Sequence, residues 1–311
     1  MTSTDSAHID TSIEVTDLHL QYGSTAALAG IDLQLRPDRI IGLLGRNGAG
    51  KTTLLSILAG HRRATSGAVR IGGLDVWETE RMRDVFLIGE GEAASDSGRL
   101  RDRARFVATL RPNFDRALFD TMLTMFELDS RTRVSKLSRG QRAAAGVALA
   151  LASRSPITIL DEAHIGMDAQ NRYALWDLML ADYAAHPRTI IISTHHVDEV
   201  ANVLEDVVIL EAGTVLRHAI VDDLVGSAAT ITGPTSRVDE LVEGMHVVAD
   251  RSLGATREVT VTDVDTAALR TRAGSGVRID TAGLQDLFVH LTTAARQGDA
   301  AAQTAPQEAS A

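Results

Sequence analysis

The stretch that decides the fold of this chain is GRNGAGKTT at residues 45–53, which stands between two apolar segments. The preceding segment, 39–44, has the length of a strand, and 54–59 has the apolar spacing of a helix packed on a sheet. A strand, a glycine-rich turn and a helix are the context of a phosphate-binding loop. Glycines let consecutive N–H groups point at one anion, and the helix N-terminus adds partial positive charge there. The stretch therefore predicts a nucleotide-binding α/β domain.

Residues within the loop have separate predicted roles. Lys51 would bridge the β- and γ-phosphates as a point charge, and the Thr52 hydroxyl would bind Mg²⁺. The residues that would cradle the nucleotide are Gly45, Asn47, Gly48, Ala49, Gly50, Lys51, Thr52 and Thr53. The alternative interpretation is a glycine turn that happens to precede a lysine.

Composition narrows the possible classes of protein. With 311 residues, 44% of them hydrophobic and 23% charged, the chain suits a soluble globular protein of one or two domains. A net charge of −10 argues against a general nucleic-acid binder, because phosphates are neutralised by a basic surface. The absence of cysteine excludes disulfides and thiolate metal sites. The polar first ten residues do not resemble a secretory signal, and no run approaches the roughly 18 apolar residues of a membrane span.

Segments on either side of the loop extend this picture. Residues 13–22 and 28–35 alternate apolar and polar side chains, which predicts an antiparallel layer leading into a buried parallel core. Tyr22 is either an aromatic platform for a nucleobase or a strand-end packing residue, and packing is the simpler interpretation. Residues 79–135 have a helical pattern, which predicts a helical insertion between strands of the sheet.

Two carboxylates, Asp161 and Glu162, end a buried apolar segment at 156–160. The carboxyl ends of strands are where an open α/β sheet binds its ligands. Asp161 would hold Mg²⁺ through its water shell, and Glu162 would orient and deprotonate an attacking water. A solvated acidic turn is the alternative.

Two further positions fit more than one interpretation. Ser138 precedes an alanine-rich helix, so it is either the N-cap of that helix or part of a second anion site at the helix N-terminus. His195 follows the buried segment 188–194 and would contact the γ-phosphate or Glu162, although by spacing the adjacent His196 fits equally well.

In their order along the chain these motifs resemble the nucleotide-binding subunit of ABC transporters over residues 12–218. The matching segments are 45–53 for Walker A, 137–141 for the signature motif, 157–162 for Walker B, 165–168 for the D-loop and 193–195 for the switch histidine. The resemblance implies a P-loop NTPase fold with a parallel core sheet, an antiparallel β layer and a helical subdomain at about 79–150. It implies an ATPase that uses ATP and Mg²⁺.

The resemblance also implies roles for individual residues. Tyr22 would stack on adenine, and His195 rather than His196 would be the switch histidine. Two subunits would meet head to tail, so that the signature motif and D-loop of one complete the ATP site of the other. This adds four nucleotide-binding residues, namely Ser138, Gly140, Gln141 and Asp168.

The same resemblance implies partners and a location. The helical subdomain would contact a separately encoded membrane permease at the cytoplasmic face of the membrane, and a second ATP-binding subunit would be an identical chain or a paralogue. Residues 111–115, RPNFD, are similar to single-cassette exporters of the ABC-2 type, so export is expected. No nucleic-acid partner is expected.

Three departures from the family pattern occur. Glu90 stands where the family has its Q-loop glutamine; it can bind Mg²⁺ but cannot donate an amide hydrogen bond. Ala163 and His164 replace a usual proline and threonine, and Arg139 replaces a common signature glycine. Glu90 and Arg139 motivate one alternative, a nucleotide-binding regulatory module of low turnover. Another is a soluble ABC ATPase of translation or DNA maintenance, although one phosphate loop and a compact insertion suit a transporter subunit better.

The C-terminal part, 219–295, lies outside the resemblance and is expected to form a small α+β domain. The predicted strands are 228–233, 246–249 and 257–262, and the predicted helices are 236–243 and 281–294. Its role is either regulatory or dimer-stabilising, or it is a packing extension without a ligand. Residues 1–11 and 296–311 are expected to be unstructured.

Overall fold

The structure is a computed structural model that describes residues 10–89 and 98–304. Its strands are β1 (Ile13–Tyr22), β2 (Thr25–Leu35), β3 (Ile40–Gly45), β4 (Ser66–Ile71), β5 (Leu74–Asp75), β6 (Val85–Gly89), β7 (Ile157–Asp161), β8 (Thr189–Thr194), β9 (Asp206–Glu211), β10 (Thr214–Ile220), β11 (Ala229–Pro234), β12 (His246–Leu253), β13 (Thr256–Thr262) and β14 (Arg278–Thr281). Its α-helices are α1 (Lys51–Leu58), α2 (Thr79–Asp84), α3 (Leu100–Leu110), α4 (Arg116–Met125), α5 (Arg139–Ala152), α6 (Ala169–Ala185), α7 (Val221–Gly226), α8 (Thr235–Val242), α9 (Thr266–Arg272) and α10 (Leu284–Thr304).

A six-stranded sheet in the order β10-β9-β3-β8-β7-β6 forms the centre of the molecule. Its strands are parallel except for the edge strand β10, which pairs antiparallel with β9. Successive side chains of a strand point to opposite faces. Ile41 and Leu43 of β3 accordingly join the core on one face, and Ile40 and Leu44 join the core on the other. Because both faces are covered, β3 is apolar throughout, as a buried parallel strand should be.

Each face of the central sheet has its own covering layer. On one face, α1 and the antiparallel sheet β2-β1-β4-β5 enclose a core that includes Leu18, Leu28 and Leu54. On the other face lies α5, whose residues from Ala144 to Ala152 are all buried. Small alanine side chains let this helix approach β6 and β7 closely. The predicted parallel core, antiparallel layer and helical insertion are therefore all present.

The C-terminal part contains a four-stranded antiparallel sheet, β12-β13-β11-β14, packed against α8 and α9 around its own small core. The last helix, α10, does not belong to that core. It returns to the main body, where Leu284, Leu287 and Phe288 share a core with Val197 and Leu224. The sequence pattern predicts an amphipathic helix here but not the core on which it packs.

Several predicted bounds differ from the structure. The sequence of residues 197–204 predicts a helix after the switch-histidine segment, but the structure has two short 3₁₀ turns there, Val197–Glu199 and Ala201–Val203. Val197, Val200 and Val203 are buried at a spacing of three, which matches the 3₁₀ period rather than the α-helical one. Helix α10 continues to Thr304 and so runs into 296–311, which was expected to be unstructured. The expectation for 1–9 lies outside the described residues.

Sequence patterns did not indicate α9 and β14 at all. In the described part of the chain, no helix combines the length and the apolarity needed to cross a membrane.

Candidate active site

The loop between β3 and α1 requires glycine for both conformation and space. Gly48 and Gly50 have φ angles of 83° and 104°, in the left-handed region that side chains disfavour. A Cβ on Gly50 would lie 2.7 Å from the carbonyl oxygen of Ala27, and one on Gly45 would lie 2.8 Å from that of Leu210. The loop is therefore packed tightly against β2 and β9.

Lys51 starts α1 and is only 5% exposed. Its Nζ donates to the carbonyl oxygens of Gly45, at 2.7 Å, and Arg46, at 3.2 Å. The same Nζ lies 3.3 Å from Oε1 of Glu162. The Lys51 ammonium thus links the glycine-rich loop to the carboxylate of Glu162, directly after β7. Thr52 and Thr53 follow in the first turn of α1, and Thr52 is exposed.

Two neighbouring strand ends hold the paired carboxylates in place. Asp161 is buried, and the Ser193 hydroxyl of β8 donates a hydrogen bond to its Oδ1. The backbone N–H of Glu162 donates to both the carbonyl oxygen and the hydroxyl of Ser193, at 3.2 and 3.1 Å. Glu162 has a φ of 50°, which is strained for a residue with a side chain. Ser193 therefore fixes the turn in which the chain leaves β7.

The Glu162 carboxylate also contacts a histidine. Its Oε1 lies 3.1 Å from Nδ1 of His195, so lysine and histidine meet at the same carboxylate oxygen. Burial alone would raise the pKa of Glu162, but the His195 hydrogen bond and the Lys51 charge outweigh it and hold that pKa below its ordinary value. The carboxylate is consequently ionised at neutral pH. The His196 ring lies tilted against the His195 ring, with 4.0 Å between centroids, and limits how His195 can turn.

The residue types at the end of β7 and at the start of α1 suit a magnesium ion. Asp161 is a buried carboxylate whose Oδ1 accepts from Ser193, and Thr52 adds a hydroxyl on α1. Carboxylate and hydroxyl oxygens are the hard ligands that Mg²⁺ prefers, completed by phosphate and water oxygens. Glu90, the other predicted metal ligand, lies outside the described residues.

Tyr22 stands on the surface at the end of β1. Its side chain is 44% exposed, and the Arg62 guanidinium carbon lies 5.0 Å from the ring centroid. A guanidinium in this position forms a cation–π contact with the ring. This exposure does not suit the strand-end packing interpretation.

The predicted signature and D-loop residues form a separate group. Ser138 caps α5 in a capping box: its hydroxyl accepts from the Gln141 N–H at 3.2 Å, and Gln141 Oε1 accepts from the Ser138 N–H at 3.0 Å. A Cβ on Gly140 would lie 2.4 Å from the Gly166 carbonyl oxygen, so this helix start packs on the D-loop. Asp168 caps α6, accepting the Asn171 N–H at 2.9 Å.

The structure therefore brings some of the predicted residues together and keeps others apart. Lys51 and His195 each contact the Glu162 carboxylate, and Asp161 is joined to the Glu162 backbone through Ser193. Among the described contacts, none joins Ser138, Gly140, Gln141 or Asp168 to Lys51, Glu162 or His195; these four contact one another, the D-loop or the first turn of α6.

Sequence reasoning missed two features of the site. Ser193 was predicted only as the end of a buried strand and as part of the switch-histidine segment, with no contact of its own, although a hydroxyl at the end of a strand was a usable signal. The C-terminal helix α10 was not placed near the site, yet a cavity of about 540 Å³ separates its Gln285, Val289 and Arg296 from Asn47 and His195.

An ion pair holds the middle of α10 close to the loop. Arg296 Nε lies 2.5 Å from Oε1 of the buried Glu211, at the end of β9. Two residues later, the N–H of Gly213 donates to the Ala49 carbonyl oxygen of the loop at 3.1 Å. No local signal in the sequence links residues this far apart.

The chain is similar to one family model and to several known proteins. The family model described as ABC transporter matches residues 28–164. The chain is 31% identical over 317 residues to the sulfate/thiosulfate import ATP-binding protein CysA of Burkholderia mallei, covering 92% of this chain and 90% of that protein. It is 25% identical over 297 residues to the Nod factor export ATP-binding protein I of Rhizobium etli, covering 91% and 93%.

A solved structure of the ATP binding subunit of an ABC transporter has the same fold. It aligns with a TM-score of 0.62 and 24% identity, covering 68% of this chain and 91% of that one.

Proposed function

This chain belongs to the family of ATP-binding subunits of ABC transporters, and on that premise we propose that Lys51, Glu162 and His195 form its catalytic centre. The family's members are ATPases that drive transport, and this chain is one of them. The observation that carries the assignment is the shared carboxylate oxygen of Glu162, which lies 3.3 Å from Lys51 Nζ and 3.1 Å from His195 Nδ1.

Each member of this centre has a role that its environment supports. The loop at 45–53 presents backbone N–H groups to the triphosphate, and Lys51 exchanges its carbonyl partners for β- and γ-phosphate oxygens. Glu162, kept ionised by its two partners, accepts a proton from the attacking water and orients it. His195 anchors that carboxylate through its Nδ1.

Mg²⁺ belongs to the same proposal. Thr52 and Asp161 would hold it, with Glu90 as a third oxygen ligand. When bound, the ion supplies positive charge that neutralises the phosphate oxygens. Ser193 keeps the Asp161 carboxylate oriented through the hydrogen bond it donates.

The remaining predicted residues would serve the nucleotide from further away or from a second subunit. We assign Tyr22 to adenine stacking, which its exposed ring supports. Ser138, Gly140, Gln141 and Asp168 would act on a nucleotide bound by a second copy or a paralogue. The capped N-terminus of α5 supports this role, because the N-terminus of a helix is a favourable place for an anion. These four residues also form a group separate from Lys51.

The chain would work at the cytoplasmic face of the membrane, with a separate permease contacting the helical subdomain. The two relatives named above carry an import and an export description. We propose export on the resemblance of residues 111–115 to ABC-2 exporters. ATP-dependent uptake into inside-out vesicles that carry the permease would support export, and uptake into right-side-out vesicles would refute it.

Steady-state ATP hydrolysis by Glu162→Gln tests the centre directly. The amide cannot accept a proton, so we expect turnover to fall to background while ATP stays bound. Asp198→Asn removes an exposed carboxylate just beyond His195 and serves as the matched control. Unchanged turnover in the Glu162 variant would refute the assigned base.

A further inference from the structure

His164 is buried between two loops of the active site. Its side chain is 1% exposed, and its ring packs edge-on against the Trp176 indole with 5.4 Å between centroids. Its Nε2 lies 3.4 Å from the Thr194 hydroxyl and 3.5 Å from Oε2 of Glu199. At these distances each contact is weak by itself. The chemistry assigned to the catalytic centre makes no use of this imidazole.

The protonation state of this imidazole follows from its surroundings. Burial, assisted by the neighbouring charge of Arg172, lowers the pKa of His164 to about 4, so the ring is neutral near pH 7. A neutral imidazole carries one N–H. Nδ1 is buried and has no hydrogen-bond partner in the described part of the chain. We assign the proton to Nε2, because an unpaired lone pair is then buried on Nδ1 instead of an unpaired N–H.

Contacts continue from the imidazole in two directions. The Thr194 hydroxyl accepts the backbone N–H of His196 at 2.9 Å, which fixes the segment that carries the switch histidine. Glu199 Oε1 pairs with Arg172 Nη2 at 3.1 Å, and Arg172 Nη1 donates to the Met167 carbonyl oxygen of the D-loop at 2.7 Å. A continuous polar path thus runs from the D-loop backbone to the switch-histidine backbone.

We propose that His164 is a positioning residue that couples the D-loop to the segment carrying His195. A movement of the D-loop backbone pulls on Arg172 and Glu199, and the imidazole passes that displacement to Thr194. Such a path lets the position of His195 depend on whether a second subunit contacts the D-loop. The proposal rests on the assignment of Glu162 and His195 to the catalytic centre.

Burial of an imidazole with an unpaired nitrogen has a cost in stability. An apolar side chain of similar volume would fill the same space without desolvating a polar group. The polar path through the ring accounts for its presence in a way that packing against Trp176 does not.

Two substitutions separate coupling from packing. His164→Gln keeps an N–H donor near the position of Nε2, whereas His164→Leu keeps the volume and removes the polarity. We expect the kcat of the leucine variant to fall roughly tenfold. This is at the low end of the losses in activity seen when a residue that orients a functional side chain is removed. Its KM for ATP should be unchanged and its Tm equal to or above that of the unsubstituted chain, while the glutamine variant keeps most of the turnover.

Wild-type turnover in the leucine variant, or equal losses in both variants, would overturn the proposal. If the leucine variant does not fold, Thr194→Val and Glu199→Gln, singly and combined, provide a double-mutant cycle. Non-additive losses in kcat support one connected path, and additive losses refute it. Glu162→Gln measured alongside keeps the two assignments distinct. Residual turnover there would refute the catalytic centre, whereas background turnover there together with wild-type turnover in the leucine variant would refute the coupling alone.

Discussion

Replacing Ser193 by alanine removes the hydroxyl that joins the Asp161 carboxylate to the backbone N–H of Glu162. That hydroxyl donates to Asp161 and accepts the N–H of Glu162 at 3.1 Å, while the Ser193 carbonyl oxygen, at 3.2 Å, remains available to the N–H. The main loss is therefore the donor to the buried carboxylate. A hydrogen bond to a charged group contributes about 1.5–3 kcal/mol.

This loss should appear in two separate measurements. For a domain of this size, 1 kcal/mol corresponds to roughly 2–4 °C in Tm, so we expect Tm to fall by about 3–12 °C. Turnover should fall as well, and the Mg²⁺ concentration for half-maximal activity should rise, because Asp161 loses its fixed orientation. Differential scanning fluorimetry and a Mg²⁺ titration of ATPase activity measure these effects.

Thr158→Val is the matched control for this prediction. Thr158 is fully buried on β7, but its hydroxyl makes only a 3.5 Å contact with the Ser155 carbonyl oxygen. It should change Tm little and leave the Mg²⁺ requirement as it was. A Ser193→Ala variant with unchanged Tm and Mg²⁺ dependence would refute the account of how this turn is held.

The remaining predictions concern the pH dependence of stability, the C-terminal helix and the adenine platform. The pKa of His164 is lowered from 6.5 to about 4 in the folded chain, so the unfolded chain binds a proton first as pH falls. The free energy of unfolding should therefore decrease as pH falls from 6.5 to about 4. A plot of Tm against pH should be flatter for His164→Leu than for the unsubstituted chain. Arg296→Met leaves the buried Glu211 carboxylate without its cation and should lower Tm by more than the exposed control Arg237→Met, as a thermal melt would show. Tyr22→Ala should raise the KM for ATP while Tyr22→Phe should not, since stacking needs only the ring; equal KM values for both would count against the platform.

Local chemistry explains why much of the fold was predictable from sequence. The loop at 45–53 needs glycine wherever φ is positive or backbone approaches closely, so its motif can be read without the structure. Buried parallel strands such as β3 and β7 are uninterrupted apolar runs, and the carboxylates at the end of β7 follow directly in the chain. The cap at Ser138 was likewise a short-range signal.

Features that depend on distant pairing were not predictable in this way. Asp161 lies opposite Ser193 only because of the register between β7 and β8, which neither strand specifies alone. The contact between Tyr22 and Arg62 joins two separate segments of the chain. An amphipathic pattern in α10 shows that it has a buried face but not which core it covers.

Affinity capture of a tagged Glu162→Gln chain from detergent-solubilised native membranes, in the presence of ATP, tests the central claim most directly. The variant should retain ATP and hold its partners, because the step that would release them is blocked. A transporter ATPase predicts recovery of a polytopic membrane protein in near-equal amount, lost when Lys51→Ala is captured instead. Recovery of ribosomes or nucleic-acid proteins, with no membrane protein, would contradict the account.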